Sequence, residues 1–359
     1  MNTERAVLAP NELHTAATVV DGSTVIELSY EHLERIRRGG VTAVNHTVTR
    51  PYVDTVTALR EVNTCRRWID EHSDAALLAL TVDDIHRAKA DGREAIILGP
   101  QDTEMIGVDL DLLGTFYDLG VRVLQLTYQR QNLLGAGCGE KTDSGLTAQG
   151  RTFVRAMNEL GILVDVSHCG QRTGLDAMDA SDRPVVVTHS FCDGLSPHIR
   201  AKDDAFLRRL AEQRGVIGIT TLSGFLYYPE EPRRRPDLAR FVEHVARVVE
   251  VAGVDHVAIA TDYDETLTEA MREAQIVEHR TLLGDWAWHE RRAVGMDDAA
   301  QFPNFTTALL DGGFAPDEVT RILGGNWLRV FGETWKPATT TTLQSPPEQG
   351  ERHESSNPT

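Results

Sequence analysis

Cysteine is scarce in this chain: Cys65, Cys138, Cys169 and Cys192 are the only four in 359 residues, and none belongs to a CxxC pair. That spacing excludes a disulfide framework and a cysteine-built zinc site, and it predicts reduced thiols. Long apolar runs are missing too, since nothing approaches the ~18 uninterrupted apolar residues that a membrane-spanning helix needs. Basic charge is also short, with 36 Lys and Arg against 54 Asp and Glu and a formal net charge of −18. Nucleic acids and anionic membranes are bound by neutralising phosphates, so neither is an expected partner and a small molecule is. The opening stretch MNTERAVLAPNELHTAATVV has no basic segment followed by an apolar one. No secretory signal is expected from it, and the cytoplasm is the expected location.

What is present is an ordinary globular composition, 41% hydrophobic and 25% charged, arranged in a repeating pattern. Apolar, β-branched runs recur at Ala17–Gly22, Val41–Thr47, Glu94–Gln101, Val121–Tyr128, Ile162–His168, Pro184–His189, Gly215–Thr221 and His256–Asp264. Their near-continuous hydrophobicity fits strands buried on both faces. The segments between them carry helical spacing. In GLTAQGRTFVRAMNELG, Phe153, Val154, Met157 and Leu160 share one face, Thr147 is placed to cap the start and Gly161 to end it. In FAPDEVTRILGG, Pro316 suits the first turn and Gly324 is expected to stop the helix. Eight βα units predict an α/β fold of the (β/α)8 TIM-barrel kind, which commonly takes roughly 250 to 400 residues. The barrel is expected over 17–335, after an N-terminal segment 1–16 and before a disordered tail 336–359 rich in Thr, Ser, Pro and Glu. An insertion at about 265–301, carrying Trp286, Trp288 and His289, is expected over the barrel mouth, its tryptophans serving local packing or an interface.

Chemistry in such barrels is built at the C-terminal ends of the strands. The fifth and sixth runs end on His168 and His189, and the last reaches Asp262. Two imidazoles and a carboxylate from different strands at one rim are a candidate metal site. His46, ending the second run, is expected at the same mouth as a third nitrogen. Cys169 follows His168 on an extended chain and should face the other way, whereas Cys192 lies in a loop near the cleft.

From Gly92 to Gly332 the chain resembles the renal (membrane) dipeptidase family of zinc peptidases, a branch of the amidohydrolase-like, metallo-dependent hydrolase barrels. The stretches that carry the resemblance are LGTFYDLGVRVLQLTY, DSGLTAQGRTFVRAMNELGILVDVSH, RPVVVTHSF, HIRAKDD, ATDYD, FPNFTTALLDGGF and ILGGNWLRVFG. The resemblance implies a His-x-Asp pair after Asp21-Gly22, a bridging Glu on the third strand, and one His each from strands five and six. It also implies a last-strand Asp that receives the substrate amine and takes part in proton transfer, an Arg that binds the substrate carboxylate, and pairing into homodimers. His168, His189, Asp262 and Arg200 match that pattern. Ser23 and Val25 stand where the His-x-Asp pair belongs, Gln101 stands for the bridging Glu, and Tyr128 replaces a substrate-contacting His.

Two dications a few ångströms apart need carboxylates to offset their repulsion, and these are missing, so a two-metal site is not expected. The expected cofactor is at most one zinc, or none, on His168, His189 and Asp262, with Gln101 or His46 as further candidates. The expected catalytic residues are Asp262, His168 and His189, and the expected substrate contacts are Arg200, Tyr128, Gln101 and Asn326. Three functions stay open. The first is a dipeptidase-like metallohydrolase acting on a dipeptide or related amide that carries a carboxylate. The second is a non-hydrolytic proton-transfer enzyme, an isomerase or lyase, acting on a peptide-derived metabolite. The third is a binding protein that has lost its chemistry.

Overall fold

Nine strands form in the computed structural model, which describes residues 9–263 and 292–336. They are β1 (Val20–Thr24), β2 (Ala43–His46), β3 (Ala76–Leu78), β4 (Glu94–Leu98), β5 (Val123–Gln125), β6 (Leu163–Asp165), β7 (Val185–Ser190), β8 (Val216–Ile219) and β9 (Val257–Ile259). All pairs are parallel, in the orders β1-β2-β4-β3 and β5-β6-β7-β8-β9. Isolated parallel bridges join Leu98 of β4 to Val121 ahead of β5, and Thr24 of β1 to Tyr263 beyond β9. Eight strands thus follow one another round a (β/α)8 ring, with a helix between every consecutive pair in the chain. Most of Trp286's insertion and all but the first residue of the expected tail lie outside the described residues.

The strand that the sequence reading lacked is β3. It is three residues of Ala and Leu, too short to show a period, and it pairs only with the first half of β4, Ala76 opposite Glu94 and Leu78 opposite Ile96.

Alternation along the strands explains their unbroken hydrophobicity. Val20, Ala43, Ala95, Ile97, Leu163, Val186, Val216 and Ala258 belong to one buried cluster, inside the ring. Their neighbours Val44, Ile96, Leu98, Val164, Val187, Ile217 and Ile259 belong to another, with Phe153, Met157 and Phe206 from the surrounding helices. The expected caps form: Thr147 accepts a hydrogen bond from the Gly150 amide at 3.0 Å, and Gly161 takes a left-handed φ of 89°. Gly324 interrupts its helix as expected. Its φ of 180° and ψ of −20° are not helical, and they put a kink between the helix that starts at Pro316 and the next one, Asn326–Thr334. Glycine is needed there because a Cβ would collide with the carbonyl oxygen of Thr18.

That last helix closes the bottom of the barrel. Trp327 is fully buried, and its Nε1 donates to the Ile259 carbonyl at 3.0 Å. Its indole fills space left by small residues: a Cβ on Gly22 would lie 2.8 Å from Trp327 Cε2, and one on Gly218 3.1 Å from Cζ2. The floor beneath the rim is therefore solid packing, and chemistry is confined to the opposite end.

Candidate active site

At that end β6 and β7 finish side by side. Asp165 closes β6 with a fully buried carboxylate. Its Oδ1 accepts from the Ser167 amide at 2.9 Å, the Ser167 hydroxyl at 2.5 Å and the Thr188 amide at 3.0 Å; its Oδ2 accepts from the Thr188 hydroxyl at 2.6 Å. These bonds hold the two residues that precede the expected histidines. His168 and His189 accordingly converge, their Nε2 atoms 2.9 Å apart and their rings tilted by 59°. Burial, then the charges of Arg200 and Lys202, hold His189 well below the usual imidazole range, so it is neutral at pH 7.

Two expected substrate contacts frame this pair. Tyr128 lies flat on the His168 ring, centroids 4.0 Å apart at 22°, and Tyr52 meets Tyr128 edge-on at 5.5 Å. Arg200 is 1% exposed. It donates to the Ser167 carbonyl through one terminal nitrogen and to the His189 carbonyl at 3.3 Å through the other, and its plane sits over Phe225. The guanidinium is thus beside the histidines, with much of its donor fork engaged by the backbone that carries them.

On the other side of the ring, β1 meets the segment after β9. Asp21 is fully buried and accepts from the Thr261 amide at 2.7 Å, from the Thr261 hydroxyl and from the Ser23 amide at 3.3 Å. Burial outweighs these bonds and pushes its carboxyl up to about 7. The next residue after Thr261 is Asp262, partly exposed between two buried neighbours. Its φ is +54°, a left-handed value that costs a non-glycine residue about 1 kcal/mol or more. The Asp262 amide donates to the Ser23 carbonyl at 2.8 Å, which helps hold that conformation.

Gln101 reaches this side of the rim. Its Nε2 donates to the Ser23 hydroxyl at 3.2 Å and to the Thr47 hydroxyl at 2.9 Å. The residues standing where the resemblance puts a metal-binding His and a bridging Glu therefore do meet, but as a neutral hydrogen-bonded network. Among the described residues no group of three or more His, Cys, Asp and Glu is placed to hold a metal ion. The expected trio of His168, His189 and Asp262 does not assemble as one, and the donor set does not fit a two-zinc centre.

Two expected site residues lie elsewhere. His46 shares its parity with Val44, which packs in the outer layer, so it faces the helices, and burial there pushes its imidazole down to about 4. Asn45 is the β2 residue that turns inward, and its amide donates to the Gly22 carbonyl at 2.9 Å. Asn326 is at the floor, donating to the carbonyls of Val254 and Val257 at 2.8 Å each. The cysteines are all free and buried. Cys169 faces the outer layer as expected; Cys192 joins it there, and burial pushes both thiols up to about 12, too high for a nucleophile. The residues that the sequence reading missed are Asp21, Asp165, Ser167 and Thr188. Their signal is an aspartate inside an otherwise apolar strand, in VVDG and LVDVSH.

Parallel strands, alternating helices and paired rim histidines place the protein among the metallo-dependent hydrolase-like barrels. The chain belongs to the membrane dipeptidase family, peptidase family M19, whose model matches residues 12–275. It is 29% identical over 293 residues to the dipeptidase tcpJ of Claviceps purpurea (strain 20.1), covering 81% of this chain and 61% of that relative. The chain thus spans less than two thirds of the length of that relative. An amidohydrolase from Pseudomonas aeruginosa is 30% identical and superposes with a TM-score of 0.84 over 91% of this chain and 99% of its own. A metallopeptidase from Rhodobacter sphaeroides, solved with a phosphinate mimic of the dipeptide L-Ala-D-Ala, shares the fold at 21% identity and a TM-score of 0.74, over 89% and 99% of the two chains. No described helix is long and apolar enough to cross a membrane.

Proposed function

We propose that this protein is a membrane-dipeptidase-like hydrolase of a dipeptide or related amide, working with at most one zinc. The observation that carries the reading is the 2.9 Å approach of His168 Nε2 to His189 Nε2 at the ends of adjacent strands, in a chain that belongs to a dipeptidase family. His189 is held neutral and is chemically able to accept a proton or to bind a metal. Asp262, partly exposed at the same rim, is the group assigned to take a proton from attacking water and return it to the leaving amine. Arg200 supplies the positive charge that attracts a substrate carboxylate. A single zinc would draw on His168 and His189, with solvent adding the remaining donors. A cytoplasmic location and pairing into homodimers belong to the same proposal.

The test is hydrolysis of a dipeptide panel, including L-Ala-D-Ala, with and without added zinc or manganese. Turnover that His189→Ala abolishes is the expected result; an inert panel overturns the hydrolase reading.

A second reading is favoured by one feature, the neutral Ser23–Gln101–Thr47 network in place of charged ligands. On that reading the same side chains move protons on a peptide-derived acid without cleaving it. Exchange of a substrate Cα proton with deuterated water, without cleavage, identifies it.

A further inference from the structure

We propose that Asp165 is a positioning residue that acts through Thr188 to fix the tautomer of His189, with the ring proton on Nδ1 and the Nε2 lone pair turned toward His168. The inference deepens the proposed function, because it rests on reading the histidine pair as the reacting centre, but the tautomer is decided by hydrogen bonding alone.

A threonine hydroxyl has one proton to give. Here it goes to Asp165 Oδ2 at 2.6 Å. The 2.9 Å contact between Thr188 Oγ1 and His189 Nδ1 must then take its proton from the ring, since the hydroxyl has only lone pairs left. Ser167 is committed in the same way. Its proton goes to Asp165 Oδ1 at 2.5 Å and its oxygen accepts the His189 amide at 3.1 Å, so it does not compete for the ring. With Nδ1 protonated, Nε2 of His189 is an acceptor, and the 2.9 Å contact with His168 Nε2 makes His168 the donor. Asp165, Thr188, His189 and His168 form one chain of hydrogen bonds with a single direction. The carboxylate cannot drift, because it accepts from the two backbone amides of Ser167 and Thr188 and is buried.

The same construction recurs across the ring. Asp21 accepts the amide and the hydroxyl of Thr261, and Thr261 precedes Asp262 as Thr188 precedes His189. Two buried carboxylates grip two threonines, and each threonine sets the next residue at the rim. Orientation of a reacting imidazole by such a supporting shell preserves both its tautomer and its aim.

The test is long-range 1H–15N NMR of the full chain labelled at histidine, treated with chelator and read without substrate, the His189 signals being assigned by their loss in His189→Gln. The expected result is a single His189 tautomer protonated on Nδ1. Thr188→Val, which matches threonine in shape and lacks the hydroxyl, should give a mixture of both tautomers, and Thr188→Ser should restore the single form. A wild-type His189 protonated on Nε2 overturns the proposal, as does a Thr188→Val spectrum unchanged from wild type. If Thr188→Val fails to fold, the wild-type spectrum and Thr188→Ser still decide. The expected tautomer alongside an inert dipeptide panel would sink the hydrolase reading and leave this one standing.

Discussion

The barrel floor offers a double-mutant test of the fold beneath the site. Adding a methyl at Gly22 places a carbon 2.8 Å from Trp327 Cε2, nearer still to Cζ2, and 3.1 Å from the Ala260 Cβ. Overpacking of this kind costs about 1–3 kcal/mol. Trp327→Phe withdraws the outer carbons of the indole and the hydrogen bond to the Ile259 carbonyl, for about 2–3 kcal/mol. If the indole is inserted as described, the two changes relieve each other. Gly22→Ala made in the Trp327→Phe background should then cost about 1–2 kcal/mol less than in the wild type. Urea denaturation followed by far-ultraviolet circular dichroism measures all four proteins without relying on the tryptophan being replaced. Costs that add within about 0.5 kcal/mol would refute the packing of Trp327 against Gly22.

Acid should weaken the protein through buried histidines. Burial, reinforced by Arg240, lowers His244 from 6.5 to about 3, so its contribution is complete above pH 6.5 and is lost as pH falls toward 3. The full contribution is at most about 5 kcal/mol, of which roughly 2 kcal/mol is gone by pH 5. His244→Gln, which keeps an acceptor for the Cys192 amide, should therefore lose less stability between pH 7 and pH 5 than the wild type in urea titrations; an unchanged slope contradicts the assignment. Tyr128→Phe keeps the stack on His168 and should shift the urea midpoint little, whereas Tyr128→Leu should cost about 1 kcal/mol beyond the area lost. Equal effects of the two would show that the ring contact contributes nothing.

The fold was legible because its signal is repeated. Eight buried parallel strands each show as an apolar run, and one weak run hardly matters when seven others agree; β3 escaped because three residues of Ala and Leu carry no period. The rim was legible where a histidine closed an apolar run, as at His168, just beyond the end of β6, and at His189, near the end of β7. His46 misled for a local reason. Both it and Asn45 sit at the end of β2, and only the alternation relative to Val44 decides which of them faces the mouth. Asn326 lay in a stretch shared with the dipeptidases, yet sharing a stretch does not say which end of the barrel it serves. Asp21 and Asp165 went unread because a carboxylate inside an apolar strand has meaning only once its donors are known, and those donors come from other strands. Lost ligands were plain as letters. What fills their place, Gln101 on Ser23 and Thr47, became visible only in three dimensions.

Zinc stoichiometry tests the central claim most directly. Protein purified without chelator, saturated with zinc and freed of excess, should carry no more than one zinc per chain by elemental mass spectrometry, with any bound metal lost in His189→Ala. Two tightly held zinc ions per chain would contradict the account, because the described rim has no charged bridge to hold them together.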